Sequence, residues 1–268
     1  MSRRKKEANS KSNPNAEMSL SGHLRELKNR ILVCLVIFLI VTVIGLNYAQ
    51  ELVELFLELG AACDYEFVYI APQELLMQYF TVSFVIAGCV TAPILLYEIW
   101  AFVSPGLEKS ENLLFGMTLV FGLICFVIGV FFAYEIMVPF MLQFFDSLSE
   151  GSSVSGTISV EKYIGFILTV LVIFGVVFEL PVISVLLNRL GILKVEWMKK
   201  ARRVVIVVIF IIAALISPPD VVSQIMVAIP MIGLYELSIL LCGIFARFFG
   251  EKKPKEIEEE AEEEEEEE

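Results

Sequence analysis

Carboxylates beside long apolar runs are the side chains of this sequence whose type and position suit the binding of a charged ligand. The polar stretch WAFVSPGLEKSENLLF, residues 100–115, carries Glu108 and Glu111, with Glu98 nearby, against one base, Lys109. Glu26 lies in a second polar cluster, SLSGHLRELKNRI, which precedes the first apolar run. Short cytoplasmic loops of membrane proteins usually collect Lys and Arg. Carboxylates at two such edges therefore indicate a positively charged partner.

Each cluster also has a local explanation. An ion pair with Arg30, four residues along a helix, accounts for Glu26, and for this cluster taken alone it is the favoured interpretation. A helix N-terminus, whose dipole stabilises acids, accounts for Glu108. Leu24 belongs to an apolar face of helical spacing that would lie on the membrane. Neither explanation accounts for carboxylates at both cytoplasmic edges.

Four polar side chains interrupt or begin the later apolar runs: Glu179, Glu236, Gln224 and Asp220. A charge at mid-span costs about 2.5 to 3.5 kcal/mol, so Glu179 should face the bundle interior or a wet cavity. The alternative for Glu179, Glu236 and Gln224 is an interhelical hydrogen bond that holds the bundle together. Asp220, in SPPDVVSQ, is predicted to be the N-cap of the last helix rather than a binding group.

Enzyme and metal signatures are missing from the sequence. His23 is the single histidine, which excludes HExxH zinc sites and multi-histidine clusters. The chain has no P-loop motif, and EGSSVSG does not match GxSxG. Four of the five cysteines fall in separate apolar runs and are predicted to be packing residues. We therefore expect no catalysis, no metal and no cofactor.

The composition places the elements that carry these residues in a membrane. The chain is 57% hydrophobic with a mean hydropathy of +0.77, more than a soluble domain needs. Six apolar runs follow one another: residues 31–46, 75–96, 113–134, 163–188, 204–216 and 225–246. The fifth has thirteen strictly apolar residues, about 20 Å of helix, against a bilayer core of about 30 Å.

The distribution of charge favours six spans with both termini in the cytoplasm. With six spans, nineteen of the twenty Lys and Arg residues lie on the side of the termini, and Lys162 alone lies outside. Four of the predicted spanning helices contain a proline, Pro93, Pro139 (just past the third apolar run), Pro181 or Pro230, which removes a backbone hydrogen bond and tends to bend a helix. The predicted fold is an all-α membrane protein, a curved bundle of six transmembrane helices, several of them Pro-kinked.

Three regions are predicted along the chain. They are a disordered basic cytoplasmic tail (1–18), a six-span membrane domain (19–247) and a disordered acidic cytoplasmic tail (248–268). Residues 251–268 hold twelve acids and three bases and so carry most of the net charge of −12. In the first outer loop, ELVELFLELG is predicted to be a helix lying on the membrane surface, and YEFVYI (65–70) an extended segment.

Four segments, in this order, resemble the TatC family, the six-span receptor subunit of the twin-arginine protein export system. They are HLRELKNRI, APILLYEIWAFVSPGLEKSE, FGVVFELPV and SPPDVVSQIMVAIPMIGLYE, and the resemblance covers about residues 18–247. It implies that Glu26 and Glu111 receive the paired arginines of a signal peptide, with Phe102 and Pro105 shaping the loop. Carboxylates bind a forked guanidinium through two hydrogen bonds, a geometry that lysine cannot copy.

The resemblance also implies partners and a location. The partners are twin-arginine signal peptides of folded precursor proteins, single-span TatA and TatB subunits, membrane lipid and further copies of the chain; no nucleic acid is expected. The location is the cytoplasmic (inner) membrane of a prokaryote, with export driven by the proton-motive force. The signal's apolar segment would insert beside the bent helices, with Glu179 as a polar contact in the concave interior. Glu98 departs from the family pattern, which usually has glutamine there.

Two other functions fit parts of the sequence. A proton-coupled secondary transporter would use Glu179 and Glu236 as proton carriers, but it leaves the carboxylates at the cytoplasmic edge idle. A structural membrane scaffold would recruit soluble partners through its acidic tail. Deletion of residues 251–268 separates the scaffold from the export receptor, because the receptor is expected to keep its export activity without the tail.

Overall fold

The computed structural model describes residues 20–61, 65–103, 109–149, 157–189, 191–217 and 220–249. Within these ranges the side chains of residues 20–24, 96, 99–100, 103, 109–115, 117, 149 and 248–249 are not described. The helices are α1 (Leu20–Asn47), α2 (Ala49–Ala61), α3 (Glu74–Val103), α4 (Lys109–Phe132), α5 (Val138–Ser149), α6 (Val160–Val177), α7 (Leu180–Arg189), α8 (Val195–Ile216) and α9 (Val221–Phe249). A π-helical turn, Ala133–Met137, joins α4 to α5, and two short strands, β1 (Glu66–Val68) and β2 (Thr157–Ser159), lie between helices.

Five segments of the described chain are long and apolar enough to cross a membrane. They are Arg25–Asn47, Glu74–Leu95, Thr118–Leu148, Val160–Arg189 and Val221–Arg247. Helix α8 is not among them, because Lys and Arg residues crowd its first turns within residues 199–203 and only thirteen apolar residues follow. The chain is thus an α-helical multi-pass membrane protein, as predicted. The sixth crossing, by α8, stays a prediction.

The predicted prolines interrupt the helices at two of their four positions. Pro181 lies in the first turn of α7, directly after the break at residues 178–179 that ends α6. Pro139 follows the π-helical turn, where a wider turn accommodates a residue without an N–H. Pro93 and Pro230, by contrast, lie within the continuous helices α3 and α9. The third apolar segment is longer than predicted, because helical structure continues past Pro139 to Ser149.

Helix α6 forms the centre of the bundle. Its Ile164, Ile167 and Phe174 side chains are fully buried, and the helix packs against α3 and α4. Gly129 allows α4 to approach closely, because a β-carbon there would lie 2.7 Å from the carbonyl oxygen of Phe174. Small residues at such crossings are typical of helix packing in membranes, where dispersion contacts replace the hydrophobic effect as the driving force.

The outer elements pack onto this bundle. In α2, Val53 and Phe56 are buried, and the hydroxyl of Tyr163 on α6 donates a 2.9 Å hydrogen bond to the carbonyl oxygen of Phe56. The predicted helix is therefore present, with Val53 buried and Leu55 exposed, and its location on the membrane surface stays a prediction. Strand β1 confirms the predicted extended segment, and it pairs in parallel with β2, which was not predicted. The predicted tails lie outside the described residues, except that α9 runs to Phe249.

Candidate functional site

Close packing of α1 against α3 positions the predicted carboxylate of Glu26. The rings of Phe38 and Phe84 stack with centroids 6.1 Å apart. Nearer the C-terminal end of α1, Gly45 leaves room for Ser83, since a β-carbon at Gly45 would lie 3.3 Å from that of Ser83. The two helices are antiparallel, so the first turns of α1 lie beside the last turns of α3.

Glu26, Arg30 and Glu98 form one hydrogen-bonded group at this end of the helix pair, the Arg30 cluster. The Nη2 atom of Arg30 lies 2.5 Å from Oε1 of Glu26, and its Nη1 atom lies 2.8 Å from Oε2 of Glu98. The side chains of Glu26, Arg30 and Glu98 are 26%, 23% and 18% exposed, so the group is partly withdrawn from water. The local pair predicted for Glu26 is present, and α3 adds a second carboxylate to it.

The Arg30 cluster holds two carboxylates against one guanidinium and so carries a net charge of −1. The Nε atom of Arg30 is buried and has no hydrogen-bond partner among the described residues. Carboxylates can accept several hydrogen bonds each. The cluster can therefore accept donors from a further cation without losing Arg30.

The other predicted residues of this edge are only partly described. Phe102 lies in the last turn of α3, four residues after Glu98, and is partly buried. The backbone of Glu111 lies in the first turn of α4, and that of Leu24 lies in α1, but their side chains are not described. Pro105 and Glu108 fall outside the described residues. Whether Glu26 and Glu111 meet stays a prediction.

Glu179 lies inside the bundle, at the turn between α6 and α7, and is only 7% exposed. Its carboxylate faces α4, where Gly122 leaves space for it: a β-carbon at Gly122 would lie 2.9 Å from Oε2 of Glu179. The predicted orientation toward the bundle interior is confirmed. The glycine that makes it possible was not predicted, because its partner lies on another helix.

The remaining polar residues of the last two helices make structural contacts. Nε2 of Gln224 donates a 2.8 Å hydrogen bond to the carbonyl oxygen of Phe210 on α8. Glu236 on α9 accepts a 2.7 Å hydrogen bond from Arg202 on α8. Oδ1 of Asp220 accepts a 2.7 Å hydrogen bond from the backbone N–H of Ser223, which makes it the N-cap of α9. Gln224 and Glu236 thus make the interhelical bonds that were weighed as alternatives to a binding role.

A further acidic residue, Glu74, was not singled out in the sequence. Its carboxylate accepts hydrogen bonds from the N–H groups of Ile70 and Ala71 on one oxygen and from Ser159 and Glu161 on the other. It therefore joins the start of α3 to the start of α6 at the end of the bundle that carries β1 and β2. The available signal in the sequence was an acidic residue at the start of a helix. Such a residue can accept a hydrogen bond from the backbone N–H three residues before it, as the Glu of a capping box does.

These features define a multi-pass α-helical membrane protein with a carboxylate-rich cluster where its first two long helices meet. The family described as "Sec-independent protein translocase protein (TatC)" matches residues 22–230 of the chain. The chain belongs to the TatC family, so the resemblance seen in the sequence is confirmed. It is a protein translocase component, and the family is not one of enzymes.

Relatives cover nearly the whole membrane domain. The TatC protein of Listeria innocua is 36% identical over 240 residues, which is 86% of this chain and 93% of the relative. TatCy of Bacillus subtilis is 33% identical, over 84% of this chain and 89% of the relative. TatC of Aquifex aeolicus is 33% identical, over 90% of this chain and 100% of the relative.

Solved structures share the fold as well as the sequence. A crystal structure described as the twin arginine translocase receptor TatC superposes with a TM-score of 0.74 at 32% identity. It covers 83% of this chain and 98% of the solved chain. A second crystal structure of that receptor, in DDM, gives a TM-score of 0.74 at 33% identity.

Proposed function

We propose that this chain is the receptor and core subunit of a twin-arginine translocase, and that the Arg30 cluster is part of its signal-peptide site. The observation that carries the proposal is the surplus of carboxylates. Glu26 and Glu98 face a single guanidinium within hydrogen-bond distance, at an edge of the membrane domain. The receptor described for the similar solved structures supports the same role.

The chemistry of the cluster favours arginine over lysine in the peptide. A guanidinium presents five N–H donors in a plane and can bridge two carboxylates, as Arg30 already does. An ammonium group is a compact point charge that offers no such fork. One peptide arginine binds beside Arg30 at Glu26 and Glu98, and Glu111 receives the other.

The loop between α3 and α4 completes the proposed site. Phe102 gives an apolar surface for the peptide residues that follow the arginine pair, and Pro105 shapes the turn after α3. Glu108 adds negative charge beside Glu111, and Leu24 keeps the first turns of α1 on the membrane surface. These roles extend those that the sequence resemblance implies.

The proposed topology has six spans, with both termini in the cytoplasm of a prokaryotic cell and the chain in the inner membrane. The distribution of nineteen of twenty Lys and Arg residues supports it. Helix α8 crosses where the bilayer is locally thinned, since its apolar part of thirteen residues spans about 20 Å.

The proposed partners beyond the signal peptide are TatA- and TatB-type single-span subunits and further copies of the chain. Insertion of the signal's apolar segment beside α4 and α7 would bring it near Glu179, whose carboxylate is the buried polar group of this interior. Transport of folded cargo then depends on assembly of the partners around the receptor and on the proton-motive force.

Binding of a labelled twin-arginine signal peptide to the detergent-purified chain tests the proposal. The matched ligand is the same peptide with both arginines changed to lysine, which keeps the charge and removes the forked donors. We expect tight binding of the arginine peptide and loss of at least about 10-fold in affinity for the lysine peptide, equivalent to one charge-assisted hydrogen bond. Equal affinity for both peptides, or binding of neither with TatB supplied, contradicts the proposal.

A further inference from the structure

A groove between the first turns of α8 and the second half of α9, the α8–α9 groove, has no role in the function proposed above. It encloses about 700 Å³ and its charged lining residues are Lys199, Arg202, Glu236 and Arg247. The hydroxyl of Tyr235 donates a 2.8 Å hydrogen bond to a carbonyl oxygen of α8 beside it. This bond and the pair between Arg202 and Glu236 hold the two helices in register.

The groove is positively charged. Its three cations face one carboxylate, and the pair of Arg202 with Glu236 at 2.7 Å balances one of them. Lys199 and Arg247 make no ion pair with any other residue of the described chain. The α8–α9 groove therefore has a surplus of two positive charges.

One wall of the groove is an exposed apolar stripe on α9. Leu237, Leu240 and Ile244 line the groove and are 42%, 59% and 42% exposed. They recur at spacings of three and four residues, so they lie along one face of the helix. The groove thus opens outward along an apolar surface.

No single level of the membrane boundary suits both the cations and the apolar stripe. Arg247 lies eleven residues after Glu236, about 16 Å along α9. A boundary at the level of Arg202 would leave the stripe in water. A boundary at Arg247 would place Lys199 and Arg202 in hydrocarbon, where uncompensated cations are costly. An amphiphile with a negatively charged head suits both groups, because its head pairs with the cations and its chain covers the stripe.

We propose that the α8–α9 groove binds an anionic phospholipid. Its phosphodiester accepts hydrogen bonds from Lys199, Arg202 and Arg247, and an acyl chain lies along the stripe. Basic pockets between transmembrane helices are suited to anionic head groups. The acidic residues 251–268 of the chain also carry the right charge, but Ile257 is their one large apolar side chain, too little to cover the stripe.

Retention of lipid by the full chain tests the proposal. The detergent-purified protein is mixed with equal amounts of phosphatidylglycerol and phosphatidylcholine, and bound lipids are counted by native mass spectrometry. We expect one phosphatidylglycerol to be retained preferentially per chain. The variant Lys199→Gln/Arg247→Gln, which leaves the Arg202–Glu236 pair intact, is expected to lose about 10-fold in affinity for it.

A matched control makes the same change of charge on α8, outside the groove. The variant Lys200→Gln/Arg203→Gln alters exposed residues of α8 that do not line the groove, and it should retain the lipid. Equal losses in both variants, or equal retention of the two lipids, overturn the proposal. Binding of inorganic phosphate alone in the groove would also overturn it, because it would show that no acyl chain is needed. So would binding that occurs only after residues 251–268 are deleted, because the tail would then be the occupant.

Discussion

The guanidinium of Arg30 joins Glu98 through a 2.8 Å hydrogen bond, although the two residues are 68 positions apart in the sequence. This contact brings a carboxylate of α3 into the group that Glu26 and Arg30 form on α1. The resemblance of the sequence to the TatC family leads us to expect glutamine at this position. A glutamate there makes the cluster of this chain more negative by one charge, which favours a cationic ligand.

Replacement of Glu98 by glutamine is expected to weaken binding of a twin-arginine peptide about 10-fold. Glutamine can still accept the hydrogen bond from Arg30, so the packing of the helices persists, but the surplus charge is lost. The change corresponds to the low end of the roughly 1.5 to 3 kcal/mol contributed by a hydrogen bond to a charged group. Titration of the labelled peptide measures it, and Glu66→Gln on exposed β1 is the control. Unchanged affinity in Glu98→Gln would remove Glu98 from the site.

Replacement of Glu111 tests the second proposed carboxylate. Glu111→Ala is expected to weaken peptide binding by about 10 to 100-fold, the equivalent of one charge-assisted hydrogen bond at about 1.5 to 3 kcal/mol. Glu111→Lys should weaken it further, because the new ammonium group repels the peptide arginines. Glu51→Lys, on the exposed face of α2, makes the same change of charge elsewhere and should have little effect. If both Glu111 variants bind as the wild type does, the residue does not contact the peptide.

The elements of this fold were predictable where they depend on local pattern. Long apolar runs predict the helices, Asp220 predicts an N-cap, and the helical spacing of apolar and acidic residues in α2 predicts an amphipathic helix. Each of these depends on residues within a few positions of one another. Whether helix α8 crosses the membrane is harder to predict. Its charged first turns and short apolar part argue against a span, whereas the distribution of Lys and Arg along the chain argues for one.

Contacts between distant segments were not predictable in this way. The parallel pairing of β1 with β2, the second partner of Arg30 and the space at Gly122 for Glu179 each join segments more than fifty residues apart. One chain read alone contains no information on which helix faces which. The residue types of the candidate site, Glu98 among them, followed from the sequence, whereas the bond between Glu98 and Arg30 depends on the packing of α1 on α3.

Replacement of Gly122 by alanine tests the close contact between Gly122 and the carboxylate of Glu179 inside the bundle. The new methyl group would lie 2.9 Å from the carboxylate, which is the end of a flexible side chain and can shift, so we expect a loss of only about 1 kcal/mol in unfolding free energy from overpacking. Thermal unfolding in detergent measures it. Gly88→Ala is the matched control, because a β-carbon there meets nothing within 4 Å.

A double variant separates this contact from a general effect on α4. In the background Glu179→Ala the carboxylate is absent, so adding Gly122→Ala should cost clearly less than it does in the wild type. Such a difference is the coupling that residues in contact show. Equal costs in the two backgrounds would mean that the methyl group disturbs something other than Glu179.

Replacement of Glu74 by glutamine tests the junction between the starts of α3 and α6. The carboxylate accepts four hydrogen bonds, two on each oxygen, and an amide would turn a donor toward two of these donors. We expect a loss of about 2 to 3 kcal/mol in unfolding free energy, since hydrogen bonds to a charged group contribute about 1.5 to 3 kcal/mol each. Thermal unfolding measures the loss, with Glu66→Gln as the exposed control.

Ser159→Ala removes one of the four donors and should cost less in the Glu74→Gln background than in the wild type, because the two changes act on one junction. Independent, additive effects would show that Glu74 does not join α3 to α6.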